Sequence, residues 1–565
     1  MKTRITKLAA AALAGAGLLF GSAQAAPELL PRETVFALGI NDASTAMDYL
    51  EPFVDKWQEL GLNAFDLNGD DELPPELEDL DLLELLGESA WIGVAASASS
   101  PIPDGFGLFR VSGDVRAFVE EALQEAATEE DTLTLTEGDH TFYLLEIEED
   151  ATDGMVEGVA VALTADGLLA FTSGSDSMRG VLRRAGGSDE PSFVDSPSYL
   201  AVSALADDTF FSFLDLARIG SVAANFGRPF VGELGLSGLI DDLESAFAAA
   251  GILAAGTEFA ADGVHSHGIQ LVGDSDSPVR ELLLERGTVT GNLAGGAPSD
   301  TLSYSHSWVD AAGWWDWLNG LAQSVPELGG DLNLLVESMI GVNPEEGIFS
   351  WLGNEVRTVM TDYPDSADIG VASDNMLGSL VYILDTADAD TAKASIDNVF
   401  FMGSMLAQSM MSLDGTDAPA EPELSEVAGV EVTTYDFSDG FSLSYAIADG
   451  HVYFTTDTAA LAAVLEGAGG SELERLAGEV PADVTSYGVT DYSESLRATG
   501  EQLAAQLGLF AGLSGEDLDF EQLEEFSAGL TEFFNFVADR TGDSWTYTTV
   551  DGDTIVTEGF VEVDW

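Results

Sequence analysis

Five histidines in 565 residues are the first place to look for chemistry. His265 and His267 stand two apart on an expected strand, so both imidazoles project from one face, as in a two-ligand metal pair that a carboxylate would complete. His140, His306 and His451 stand alone in the sequence, where solvated or hydrogen-bonded roles are expected. Asp66, Asn68 and Asp70, in the run Asp66-Leu67-Asn68-Gly69-Asp70-Asp71-Glu72, alternate oxygen ligands like the start of a calcium loop. The pattern then fails, with Asp71 where an EF-hand needs Gly and Leu77 where it needs Glu. An acidic surface loop is expected there, so no cofactor is assigned and calcium is the alternative. No Gly-x-Ser-x-Gly elbow, His-Glu-x-x-His helix or Gly-Lys-Ser/Thr phosphate loop occurs. Gly-Asp-Ser at Gly273 and Gly542 lacks a strand-turn-helix context and reads as loop. With 100 acidic residues any glycosidase-like carboxylate pair would be an arbitrary choice. No catalytic residue is assigned.

Two apolar features carry binding chemistry. Trp314, Trp317, Leu318 and Leu321 share one helix face, which reads as core, and Trp315 lies off it. The helix from Val399 to Met411 is apolar nearly all round, and four of the chain's 11 methionines sit there. A helix apolar on every side is expected to be buried on every side. Methionine also suits adaptable contact surfaces, which makes Phe401, Met402, Met405 and Met410 the candidate residues for a hydrophobic ligand.

The elements that hold these residues are written twice. ADGLLAFTSGSDSMRGVLRRAGG from Ala165 and ADGHVYFTTDTAALAAVLEGAGG from Ala448 align without a gap over 23 positions, ten of them identical. Each begins with an Asp-Gly hairpin turn and continues as a strand, with Leu169 and Phe171 matching Val452 and Phe454. Met178, Val181, Leu182 and Ala185 then recur at helical spacing, as do Leu461, Val464, Leu465 and Ala468. Gly186-Gly187 and Gly469-Gly470 are expected to cap the helices in the left-handed region. LLGESAWIGV from Leu85 matches WLGNEVRTVM from Trp351. The amphipathic helix from Asp114 to Ala126 matches the methionine-rich one. Where the first copy has the His265 pair, the second has Thr and Val. Copies at 26–285 and 297–565, joined by 286–296, are expected from a tandem duplication. Hairpins outnumber crossover helices, which predicts an α+β fold with largely antiparallel sheets and packed amphipathic helices.

The LLPxxT-strand opening at Leu30, the (W/L)LGxE phrase and the ADG-strand-helix-GG element together resemble a bacterial family catalogued as domain of unknown function 3352. That resemblance implies an exported or membrane-associated protein with internal duplication, and it brings no catalytic residues.

Lys2, Arg4 and Lys7 precede the apolar run AAAALAGAGLLFG and the small-x-small site Ala23-Gln24-Ala25, which predicts a secretory signal over 1–25 and a periplasmic or secreted chain. No later run is long enough for a transmembrane segment. Without cysteine there is neither a disulfide nor a thiolate metal site. The formal net charge is −81. Nucleic acid and anionic lipid are excluded as direct partners by that charge. Acidic residues run the whole length, as on a surface adapted to high salt. The reading is an exported, non-catalytic binding or envelope-associated protein. A periplasmic carrier of a hydrophobic small molecule or lipid is the alternative, and a hydrolase the third.

The charge generates a test. At about 0.01 M salt the Debye length is about 30 Å and like charges across a domain repel, whereas at about 1 M it falls to about 3 Å. The melting temperature is therefore expected to rise steeply with NaCl and equally with KCl. A flat melting temperature contradicts high-salt adaptation. Stabilisation by millimolar CaCl₂ well beyond MgCl₂ would instead point to calcium sites such as Asp66, Asn68 and Asp70.

Overall fold

A computed structural model describes residues 27–41, 43–60, 89–96, 103–111, 113–128, 132–145, 158–232, 236–289, 297–298, 300–325, 330–362, 379–411, 421–438, 441–467, 480–481, 483–514 and 520–565. Asp66, Asn68 and Asp70 lie outside the described residues, as do the side chain of Met410 and the pair Gly469-Gly470. The chain is α+β, with antiparallel strand pairing. It divides into two compact units: Met1–Pro52, Ala64–Ala260 and Val264–Arg280 form the first, and Phe53–Asn63, Ala261–Gly263 and Glu281–Trp565 the second.

The first unit's strands are β1 (Thr34–Ile40), β2 (Ala90–Ala95), β3 (Asp104–Arg110), β4 (Thr132–Glu137), β5 (His140–Leu145), β6 (Val159–Leu163), β7 (Leu168–Thr172), β8 (Phe210–Asp215), β9 (Ile252–Ala260) and β10 (Gly263–Leu271). Those of the second are β11 (Ser303–Trp308), β12 (Leu352–Met360), β13 (Leu380–Thr386), β14 (Glu423–Val427), β15 (Val430–Ser438), β16 (Phe441–Ala448), β17 (His451–Thr455), β18 (Ser486–Asp491), β19 (Thr541–Asp551) and β20 (Thr554–Val563). In the first unit they pair in the order β4-β5-β6-β7-β3-β2-β1-β8-β9-β10. In the second the order is β14-β15-β16-β17-β13-β12-β11-β18-β19-β20. The two orders correspond strand for strand.

Helices used below are α1 (Gly113–Ala126), α2 (Ser175–Ala185), α3 (Ala311–Gln323), α4 (Leu332–Ile340), α5 (Ala389–Met411) and α6 (Thr458–Glu466). Because strand side chains alternate, each sheet carries two cores. On one face of the first unit, α2 lays Met178, Val181 and Leu182 over Trp91, Leu108, Phe211 and Phe213. On the other, Val119 and Leu123 of α1 meet Phe109, Leu169 and Phe171. The second unit repeats the plan. Leu461 and Val464 of α6 join Tyr304, Val359 and Val381, and Ala392 and Ile396 of α5 join Tyr435, Tyr445 and Val452. Phe171 is buried, and Phe454, its match, is half-buried against Phe400.

The shared turns show why Asp-Gly recurs. Asp449 and Gly450 both have positive φ, 50° and 80°, as a two-residue type I′ hairpin requires. Gly167 has φ 87°, and a Cβ there would meet the Val111 carbonyl at 2.6 Å. Gly187 is left-handed, as expected. Helix α6, however, ends earlier than its double glycine suggests, on Gly467 at φ 60°, the first glycine able to take the left-handed cap.

Candidate functional site

Helix α5 departs from the expectation of burial on every side. Ile396 and Phe400 face the sheet, but Phe401 is 42% and Met405 36% exposed. An all-apolar helix surface does not say which sides its partners cover, and here they are one sheet face and the turn after α4. Met402 is half-buried near Gly341, after α4.

The outward stripe of α5 carries Lys393, Asp397 and Phe401 at i, i+4 and i+8, one helix face. Beside it, Pro422 with Leu424 of β14 and Glu431, Thr433 and Tyr435 of β15 close a cleft of about 490 Å³. Leu424 is 63% exposed. In the cleft wall the Tyr435 hydroxyl donates to Asp397 Oδ1 at 3.1 Å, and Tyr445, buried and outside the lining, donates to the same oxygen at 2.5 Å. Burial first, and then the nearby carboxylate, push both phenols far above the ordinary tyrosine value, so both stay donors. Lys393 Nζ lies 3.3 Å from the Tyr445 hydroxyl, 3.4 Å from Glu431 and 5.5 Å from the Tyr445 ring centroid, beyond the ring's hydroxyl end. Register places Val161 and Leu145 of the first unit where the second has Tyr445 and Tyr435. There Glu120, one residue after buried Val119, is exposed and paired with Arg116 at 2.9 Å.

A second polar network occupies the opposite face of the same sheet. The cross-strand row Phe211, Gly39, Trp91, Leu108, Ala170 of the first unit becomes Tyr487, His306, Arg357, Ile383, Tyr453 in the second. In the first unit the Trp91 ring fills the space above Gly39, where a Cβ would come within 2.5 Å of it. In the second, His306 is 2% exposed with Nε2 at 2.9 Å from Glu355. Arg357 reaches Glu355 at 3.4 Å and Asp385 at 3.3 Å, and His451 meets Asp385 at 3.1 Å. Nδ1 of both His306 and His451 has no partner among the described residues. In the first unit this face is topped by Phe193 and Tyr199, whose rings meet Phe213 and Phe211 edge-on. That segment is longer there: 17 residues separate Gly187 from Leu205, and nine separate Gly470 from Val480.

Of the other candidates, His265 and His267 lie on β10, both half-buried. Among the described residues no three His, Asp or Glu gather to hold a metal ion. Trp314 packs edge-on to Trp317, and Trp315 donates to Asn333 at 2.9 Å. Gly542 falls inside β19 instead of a loop. A first-unit cleft of about 510 Å³ contains Asp215 and Arg218. Asp215 is occupied there, accepting from Ser198 at 2.8 Å and from the Arg218 backbone at 2.9 Å. The tyrosine–Asp397 cluster and the Arg357 network escaped the sequence reading because their members lie on different elements. The one available signal was alternation: Tyr304, His306 and Trp308 share a face, as do Glu355, Arg357 and Val359.

No family model and no curated protein matches the chain. Among solved structures it is similar to TP0453 in crystal forms III and I, at 12% identity over 48% of this chain and 90% of that one. The TM-scores are 0.25 and 0.23, and no conclusion rests on a likeness of that extent.

His306 yields a pH test. Burial, with the Arg357 guanidinium beside it, holds its pKa below the ordinary imidazole value against the opposing pull of Glu355. Unfolded histidine titrates near about 6.5. As pH falls through that value the unfolded chain takes up a proton that folded His306 refuses, so the stability supplied above about pH 6.5 is lost toward the lower folded value. With five histidines in the chain, NMR can follow each ring. His306 is expected to titrate below about 6.5, and a midpoint at or above that value contradicts the burial.

Proposed function

We propose that this is an exported, non-catalytic binding protein whose second unit receives a small molecule with an apolar part in the cleft along α5. The observation that carries the reading is the cleft's composition. Its rim exposes Phe401 and Leu424, while Asp397 in its wall accepts from Tyr435 and Tyr445, at whose positions the first unit has Leu145 and Val161. Ligand sites combine apolar walls with a few fixed polar groups in this way. The equal strand orders support the tandem duplication, in which the first copy keeps a packed scaffold and the second the binding residues. The signal segment and the resemblance to the 3352 family support export.

The test uses the neutral apolar fluorophore N-phenyl-1-naphthylamine. Saturable one-to-one binding is expected, weakened about tenfold by Phe401→Ser, since a phenylalanine side chain withdrawn from water contributes about 1.5–3 kcal/mol. No saturable binding, or binding unchanged in both Phe401→Ser and Leu424→Ser, sinks the reading.

A further inference from the structure

We infer that the cleft along α5 selects an organic cation, an alkylamine or quaternary ammonium whose positive end takes the place now held by the ammonium of Lys393. This rests on the cleft being the binding site. The cleft already shows what its polar end recognises, because a cation sits there on a tether. Lys393 Nζ lies between Glu431 at 3.4 Å and the Tyr445 hydroxyl at 3.3 Å, beyond the hydroxyl end of that tyrosine's ring. The carboxylates attract positive charge.

The charge count leaves room for a second cation. Among the described residues, Lys393 is the one basic residue lining the cleft, against two carboxylates, Asp397 and Glu431. Both phenols donate to Oδ1 of Asp397, and among the described residues Oδ2 has no partner. An anionic head would face those two carboxylates in a chain of 100 acidic and 19 basic residues. A neutral head would gain nothing from the two carboxylates' charge. Lys393 is 46% exposed in its side chain, and its flexible stem can swing the ammonium into water when displaced. Phe401, next along the helix stripe, is left for the alkyl portion.

The experiment compares octyltrimethylammonium, octanol and octanoate as competitors of N-phenyl-1-naphthylamine, at about 1 M NaCl so that the diffuse attraction of the whole acidic chain is screened. The cation is expected to bind about threefold more tightly than the alcohol, in line with a partly exposed charge pair, and octanoate most weakly. Asp397→Asn and Glu431→Gln should bring the cation down toward the alcohol while the fluorophore still binds. Lys393→Met, which removes the tethered competitor, should tighten the cation. Equal affinities for the three heads overturn the inference and leave the cleft reading standing. Octanoate binding best, or Lys393→Met loosening the cation, also overturns it and makes Lys393 an anchor for anions. If the fluorophore itself fails to bind, the cleft reading falls and the inference with it.

Discussion

A strand packed on both faces gives every residue a fixed side, and each unit of this chain is built under that constraint. The helix on each face has to match the row of side chains beneath it, and the row crosses five or more strands. A change at one position is therefore answered on the neighbouring strand. Gly39 and Trp91 fit because a ring fills the space that a Cβ would need. His306 and Arg357 occupy the same register in the second unit as a hydrogen-bonding and ion-pairing set. Both solutions hold the same strand order.

The comparison gives the polar clusters their meaning. A buried ionic network contributes little net stability, because desolvation offsets most of the attraction, and an apolar set of similar volume is often as stable. The first unit has apolar side chains at the two tyrosine positions and Trp91 at that of Arg357, while charged Glu120 matches Asp397. The second unit nevertheless keeps five ionisable residues on one face of its sheet and a carboxylate shared by two phenols on the other. Departures from local packing rules of this kind concentrate at functional sites. The rarity of positive charge points the same way. Lysine occurs four times in the chain, and one of the four stands at the cleft.

The fold was legible in the sequence wherever it depends on local chemistry. The Asp-Gly turns, the period-2 strands and the Met178-to-Ala185 stripe are set by neighbouring residues, so the antiparallel α+β plan followed from them. The site depended on register instead. Asp397 meets Tyr435 and Tyr445 from 38 and 48 residues away, and His306 meets Glu355 from 49. No spacing rule connects such partners. Phe401 and Met405 were visible as candidates, yet their exposure was not, because apolarity all round a helix does not specify how many sides are covered. By register, the two units set Trp91 against Arg357 and Val161 against Tyr445, where both clusters lie.

The central claim is that the second unit keeps its polar cluster for binding and not for folding. The most direct measurement is the triple variant Asp397→Leu, Tyr435→Phe, Tyr445→Phe, which removes the shared carboxylate together with both hydroxyls that donate to it. Its urea midpoint and its affinity for octyltrimethylammonium are measured together. The account predicts a midpoint equal to or above the parent's, as for buried ion pairs replaced by apolar residues, with affinity for the cation lost. A midpoint lowered by several kcal/mol equivalents of stability, with affinity retained, would show the cluster to be structural and contradict it.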